Sequence, residues 1–287
     1  MSVEIEIKLA LGTTGPEELR QHPLLQARHG QVRLLGNTYF DTPTGELEAA
    51  RMALRLRRDG DRWIQTLKTD GKGSGGYSRR REWEWSVSTG VLDHAVLGGL
   101  PEVSELTPDV LARLQPRFTT DFERHLWHLE FAGASIEVAL DQGEILAAGQ
   151  RVPIRELELE LKEGDPQALW ELALNFAETV PLRPADASKA ARGSALLEGE
   201  WQLPSGTTPH TWLHRASLAL DAYADTVEPH WQTLARESLQ ALAANGYDEA
   251  GQLAAKLAAP DWLDISPDFN FGRTALRLAQ RLATHTI

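Results

Sequence analysis

The feature that most constrains this chain is an alternation near its start. Glu4-Ile5-Glu6-Ile7-Lys8 puts charge at every second position with isoleucine between. A β-strand sends successive side chains to opposite faces, so both carboxylates and the ammonium share one face and the isoleucines the other. The pattern returns far downstream in Glu156-Leu157-Glu158-Leu159-Glu160-Leu161-Lys162, again closed by a lysine. A single such stretch reads most simply as an amphipathic strand with a solvated face. Two acidic rows are costlier, because like charges lined up on one face repel. Carboxylates two residues apart on one face suit a hard divalent cation. The lysine beyond them suits an anion brought by that cation.

Composition removes several classes of function. The 287 residues suggest one large domain or two ordinary ones, and 42% hydrophobic residues suffice for a core. A net charge of -12 argues against a nucleic-acid coat, since there is no basic excess to release counterions. The absence of cysteine removes disulfides, thiolate metal sites and cysteine nucleophiles. The segment MSVEIEIKLA carries acids where a signal peptide carries bases, and no run approaches the ~20 apolar residues of a membrane span. The expectation is a cytoplasmic protein with no nucleic-acid or membrane partner.

Along the chain, residues 2–11 read as a strand, and Thr14 with Glu17 as a capping box before a short helix to His22. Val32–Asp41, Met52–Arg57, Trp63–Thr69 and Arg79–Val87 read as strands, with Asp59-Gly60 as a tight hairpin turn. The run Gly71-Lys72-Gly73-Ser74-Gly75-Gly76 reads as a flexible loop. Thr107-Pro108 opens a helix to Leu114. Phe118–Trp127 and Leu129–Asp141 read as two strands, Gln142-Gly143 as a turn or bulge, and Ala148-Gly149-Gln150 as a hairpin into Glu156–Lys162. Asp165-Pro166 caps a helix carrying Leu169, Leu172, Ala173, Phe176 and Val180, stopped by Pro181.

About eight strands joined mostly by hairpins predict an antiparallel barrel or sandwich. One strand face collects Glu4, Glu6, Lys8, Arg55, Arg57, Lys68, Arg80, Glu82, Arg124, Glu137, Asp141, Glu156, Glu158 and Glu160. If the sheet is open, that face is wet. If it closes, the same face is a polar lumen with the aliphatic side outside, and periodicity leaves both open. Helices at 16–22, 108–114 and 166–180 would cover the outer side only in part. After a linker at Trp201–Pro209, Thr208-Pro209 opens a helix with Trp212, Ala216, Leu220 and Tyr223 near one face. Further helices follow at 230–244, 249–258 and 268–284, with Pro260 and Pro267 as breaks. The chain is thus of the α+β class, with a β-rich domain over 1–200 and a small all-α module over 209–287.

The charged positions form an ordered series. Glu4-x-Glu6-x-Lys8, Tyr39-Phe40-Asp41-Thr42, Ala53-Leu54-Arg55-Leu56-Arg57, Thr66-Leu67-Lys68 and Arg80-x-Glu82 come first. Arg124, Leu140-Asp141-Gln142-Gly143-Glu144, Glu156-Leu157-Glu158-Leu159-Glu160 and Ser188-Lys189-Ala190 follow. Together they resemble the CYTH, or triphosphate tunnel metalloenzyme, family over residues 1–200. The chain looks most like the bacterial inorganic triphosphatase branch, in which a helical CHAD domain follows. Residues 209–287 are shorter than a full CHAD domain, though His210, His214 and His230 resemble its histidines. His210 and His214 have the i, i+4 spacing of helical metal ligands. No third ligand is evident, and surface or capping roles are preferred.

The resemblance implies an eight-stranded antiparallel β-barrel tunnel with flanking helices. It implies Mg²⁺ or Mn²⁺ held by Glu4, Glu6, Glu158 and Glu160, with Asp141, Glu156 and Glu137 as possible additions. It implies phosphates held by Lys8, Arg55, Arg57, Lys68, Arg80, Arg124 and Lys189, with Glu82 orienting the arginines. Glu4, Glu6, Lys8, Glu158 and Glu160 would carry the chemistry. The implied reaction is hydrolysis of inorganic triphosphate to diphosphate and phosphate. Hydrolysis of nucleoside or thiamine triphosphates, or a class IV-type adenylate cyclase reaction, would use the same tunnel. A non-catalytic polyphosphate-binding module is the alternative outside enzymes. The helical module would pack on the barrel or mediate a homodimer.

Overall fold

The alternating segments all become antiparallel strands of one sheet in the computed structural model, which describes residues 2–100, 103–259 and 269–284. The strands are β1 (Ser2–Leu11), β2 (Gln31–Asp41), β3 (Ala53–Asp59), β4 (Arg62–Lys72) and β5 (Tyr77–Val87). They continue with β6 (Gln115–Phe131), β7 (Ala134–Ala147), β8 (Gln150–Glu163) and the short β9 (Leu182–Pro184). Their hydrogen-bonded order is β5-β4-β3-β2-β6-β7-β8-β1-β9, and β5 pairs back onto β1. The first eight strands therefore close into a barrel, with β9 added beside β1. Closure turns the charged face inward and makes it a lumen.

Short helices fill the connections: α1 (Gly15–Gln21), α2 (Pro23–Gln26), α3 (Glu46–Ala49), α4 (His94–Gly98) and α5 (Pro108–Ala112). Then come α6 (Gln167–Phe176), α7 (Lys189–Glu198), α8 (Pro209–Thr226), α9 (Pro229–Ala244), α10 (Asp248–Leu257) and α11 (Phe269–Thr284). Three apolar clusters organise them. On one outer wall, Ile7, Leu9, Val138, Leu140, Leu157 and Leu159 are buried with α6 and with Leu213, Leu220 and Leu276 of α8 and α11. Burying one such side chain contributes roughly 1.5–3 kcal/mol. The barrel wall and the C-terminal helices thus share one core. On the opposite wall, Leu54, Leu56, Leu67 and Trp83 pack beneath Leu47, Leu97 and Leu111 of α3, α4 and α5. The third cluster lies inside the barrel: Tyr39, Phe118, Phe122, Ile145, Val152 and Ile154, met by Ala190, Leu196 and Leu197 of α7. It plugs one end of the lumen.

Several expectations need correction. Residues 118–141 do not break near His128; β6 runs on to Phe131 and turns at Ala132-Gly133, both with left-handed φ. Gln142-Gly143 is neither turn nor bulge but lies mid-strand in β7, opposite Glu123 and Phe122. A Cβ at Gly143 would lie 2.1 Å from the Asp121 carbonyl oxygen, so glycine serves close strand approach there. Thr14 precedes α1, but its side chain makes no cap hydrogen bond. The glycine-rich run is no loose loop: the Gly75 and Gly76 N–H groups donate to Asp186, and a Cβ at Gly76 would meet the Lys8 carbonyl oxygen at 2.6 Å. The expected outer cover is completed by α3, α4 and the C-terminal helices. In α8, Ala216 and Leu220 are buried as expected, but Trp212 and Tyr223 are half-buried, and Leu213 and Asp221 take inner positions instead. Pro260 and Pro267 lie outside the described residues.

Candidate active site

The lumen holds a cavity of about 650 Å³ whose lining includes Glu4, Glu6, Lys8, Arg55, Arg57 and Lys68, together with Arg80, Arg124, Glu158, Glu160 and Lys189. Strand register explains the gathering. Glu4 lies opposite Arg80, Glu6 opposite Glu160, and Lys8 opposite Glu158. Asp141 lies between Arg124 and Glu156 on the neighbouring strands. Exposure rises along β8 from Glu156 at 4% through Glu158 at 19% and Glu160 at 26% to Lys162 at 40%. The cavity therefore opens at the Lys162 end and is blind at the α7 end. Asp141 and Glu156 are not part of its lining; they lie deeper, towards the plug.

Much of the lumen is paired internally. The Lys68 Nζ donates to both oxygens of Glu4 at 2.8 Å. Arg80 bridges Glu4 and Glu6 at 2.7 Å each. Burial alone would raise the Glu4 carboxyl, but Lys68 and Arg80 override it and hold it down at about 2. Arg124 forks onto Asp141 at 2.7 Å and reaches Glu158 at 2.6 Å. Such bidentate, charge-assisted bonds are strong and directional. Lys189 enters from the start of α7 and meets Asp141, Glu156 and Glu158 at 2.8, 2.7 and 2.9 Å. Against the cost of burial, Lys189 and Arg124 keep the Glu158 carboxyl well below its ordinary range. Glu82 pairs with Lys68 at 3.3 Å.

Other groups lack such partners. Among the described residues, Lys8, Arg55 and Arg57 have no carboxylate within ion-pair distance, though all three line the cavity. Arg57 donates from Nε to Asn37 at 2.9 Å. The Arg55 Nε is buried without a hydrogen-bond partner, beside Tyr39 and Glu82. Burial, and then the charges of Arg55 and Arg124, pull Arg57 down to about 9. On the acidic side, burial pushes Glu160 up to about 7, against the pull of Lys162 and with added repulsion from Glu4 and Glu137.

That acidic corner is where a cation fits best. Hard carboxylate oxygens of Glu160, Glu6 and Glu4 are the donors that Mg²⁺ or Mn²⁺ takes, and Glu160, paired with Lys162 at 2.7 Å, is the most exposed of them. Among the described residues, no three acids or histidines converge as a ready-made metal site, because Lys68, Arg80, Arg124 and Lys189 occupy the carboxylates. The histidines of α8 also serve elsewhere. His214 bonds Asp186 at 2.7 Å, and His210 lies 3.5 Å from Ser74. Asp41 and Thr42 of the Tyr39–Thr42 motif accept from backbone N–H groups of α3 rather than facing the lumen.

Sequence reasoning missed Arg192, Asp221 and Asp225. Arg192 donates to Glu156 at 2.7 Å and forks onto Asp225, and Asp221 pairs with Arg183 at 2.6 Å. The available signal was an i, i+4 aspartate pair on an otherwise apolar face of α8.

A closed antiparallel barrel around a blind, polyionic lumen defines the class of this protein. A CYTH domain model matches residues 2–194, and the chain belongs to the CYTH domain family. The inorganic triphosphatase of Haemophilus influenzae is 38% identical over 205 residues, covering 68% of this chain and 55% of that protein. The chain therefore spans about half the length of this curated relative. Among solved structures, the putative adenylyl cyclase HpAC1 from Hippeastrum, described with a dominant triphosphatase activity, aligns with a TM-score of 0.53. Its identity is 22%, over 68% of this chain and 96% of that one, which supports the fold alone.

Proposed function

We propose that this chain hydrolyses inorganic triphosphate to diphosphate and phosphate in the barrel lumen. The observation that carries the reading is that three cations lining a cavity open at one end, Lys8 on β1 and Arg55 and Arg57 on β3, have no carboxylate at ion-pair distance among the described residues. Cations gathered around one cavity repel one another, and a short linear polyanion offsets that cost. Arginine grips phosphate through two parallel N–H bonds, so Arg55 and Arg57 bind and orient the chain while Lys8 adds a point charge. Arg80, Arg124, Lys68 and Lys189 also line the cavity and exchange carboxylate partners for phosphate oxygens as substrate enters. Cleavage of a phosphoanhydride needs positioning and charge neutralisation more than covalent help. Glu4, Glu6, Glu158 and Glu160 would hold the divalent cation that the family implies, Mg²⁺ or Mn²⁺. A bound cation supplies Lewis-acid neutralisation of phosphate charge. The name of the Haemophilus influenzae relative supports the same substrate.

The test is phosphate release from inorganic triphosphate, with ATP in parallel, in Mg²⁺, in Mn²⁺ and in chelator. The expected result is metal-dependent release from triphosphate far faster than from ATP. Release from ATP alone would change the substrate. Tight triphosphate binding without release in any divalent metal would replace the reaction with a binding function.

A further inference from the structure

Two aspartates of α8 are linked to the lumen through residues that precede and follow Lys189. Asp221 and Asp225 stand one turn apart on the side of α8 that meets Arg183 and Arg192. Asp225 grips Arg192 in a fork, accepting from Nε at 2.9 Å and from Nη2 at 2.6 Å. The remaining branch of that guanidinium donates to Glu156 at 2.7 Å, and Glu156 accepts from the Lys189 Nζ at 2.7 Å. Lys189 and Arg192 share a face of α7, being three residues apart. Asp221 acts one step earlier in the chain. One of its oxygens accepts from the N–H groups of Asp186 and Ala187 at 2.9 and 2.7 Å, and the other from Arg183 at 2.6 Å. Asp186 in turn takes the Gly76 N–H at 2.6 Å and His214 at 2.7 Å. The backbone leading into Lys189 and the guanidinium one turn beyond it are therefore both clamped from α8.

The clamp matters because of what Lys189 is. A lysine carries a long, flexible stem whose tip must be ordered at an entropic cost. Its ammonium here is shared among Asp141, Glu156 and Glu158. Arg192 neutralises Glu156 from behind, so Glu156 holds Lys189 as one of three partners rather than capturing it. Removing the Asp225 carboxylate would leave a buried guanidinium with Glu156 as its one remaining acid, and Glu156 would be drawn towards it.

We propose that Asp225, supported by Asp221, is a positioning residue for the lumen. In this view α8 sets where the Lys189 ammonium stands, and triphosphate affinity depends on a helix that contributes no residue to the cavity wall. The proposal rests on the reading of the lumen as a triphosphate site. The experiment is a double-mutant cycle on the full 287-residue chain, reading the dissociation constant of inorganic triphosphate in chelator and, with metal, KM and kcat separately. Asp225→Asn is expected to weaken binding about tenfold in the native background and less than about twofold when Lys189 is already glutamine, because coupled residues are non-additive. The loss should appear in KM and kcat together, and Asp225→Glu should restore part of it. Glu249→Gln, which breaks an ion pair with Arg281 elsewhere in the helices, should change nothing.

Equal losses from Asp225→Asn in both backgrounds would mean a general effect on the fold and overturn the proposal, as would no loss in either. Arg57→Ala and Lys189→Gln separate the two levels. If both weaken binding while Asp225→Asn does not, positioning alone fails. If neither weakens it, the lumen reading fails and the proposal falls with it. Should Asp225→Asn not fold by circular dichroism, Asp225→Glu carries the same cycle, with a smaller coupled loss expected and an additive one overturning.

Discussion

Two walls of the same lumen use the same residue types and differ in pairing. The acids of β1, β7 and β8 are neutralised by bases from β4, β5, β6 and α7: Glu4 by Lys68 and Arg80, Asp141 and Glu158 by Arg124 and Lys189. On β3, Arg55 and Arg57 face the cavity with no carboxylate at ion-pair distance among the described residues. The first group is held together by its own ion pairs. The second is a vacancy for negative charge, kept open by the fold. The difference teaches that a lumen's net composition says less about its chemistry than which of its charges are already spoken for.

The comparison breaks most visibly at β3. Arg55→Ala or Arg57→Ala should lower kcat/KM for triphosphate by about 10²–10³-fold, as for loss of a donor to developing charge. Arg57→Ala should leave the melting temperature unchanged, since burial and the charges of Arg55 and Arg124 already disfavour that cation. A large drop in melting temperature with activity intact would make β3 structural. The opposite profile is expected deep in the paired wall. Asp141→Asn leaves Arg124 and Lys189 short of a partner and should cost about 3 kcal/mol in urea unfolding. Equal stability would show that Glu158 and Glu156 carry those cations unaided.

A smaller effect should come from the acidic corner. Mg²⁺ or Mn²⁺ should raise the melting temperature, a ligand at a hundredfold its dissociation constant adding about 2.7 kcal/mol. Glu160→Gln should shrink that gain and chelator abolish it. No shift at millimolar metal would remove the carboxylate corner as a cation site. The smallest effect concerns pH at the joint between α8 and the barrel. Burial pulls His214 down and Arg51 opposes its charge, but the bond and charge of Asp186, joined by Asp221, outweigh them and hold His214 above its usual value. A histidine raised on folding contributes stability that is fully present below its unfolded pKa of about 6.5. That contribution is lost as pH rises through the folded value. Melting curves of the native protein and of His214→Gln should therefore converge on the alkaline side. A gap that widens with pH would reverse the assignment.

Much of the barrel was legible because a strand's period is two. Glu4, Glu6 and Lys8 had to share a face whichever strand lay beside them, and so had Glu156, Glu158 and Glu160. Turns carried by Asp59-Gly60 and Ala148-Gly149-Gln150 were legible for the same local reason. Gly143 misled because glycine marks both turns and close strand approach, and the Asp121 oxygen that decides between them is distant in sequence. The glycine run at 71–76 misled likewise, since its partner Asp186 lies more than a hundred residues away.

Local pattern alone determined that this chain makes amphipathic strands with a two-signed charged face, followed by helices with apolar stripes. Those follow from backbone periodicity and the cost of burying charge, both properties of neighbouring residues. Whether the sheet closed, which end was plugged by Phe118, Phe122 and α7, and which cations were left unpaired were decided only in three dimensions. The reason is register. Arg57 lies by Asn37 and Arg80 by Glu4 because strands remote in sequence align at particular residues, and a charge is neutralised by its nearest neighbour in space.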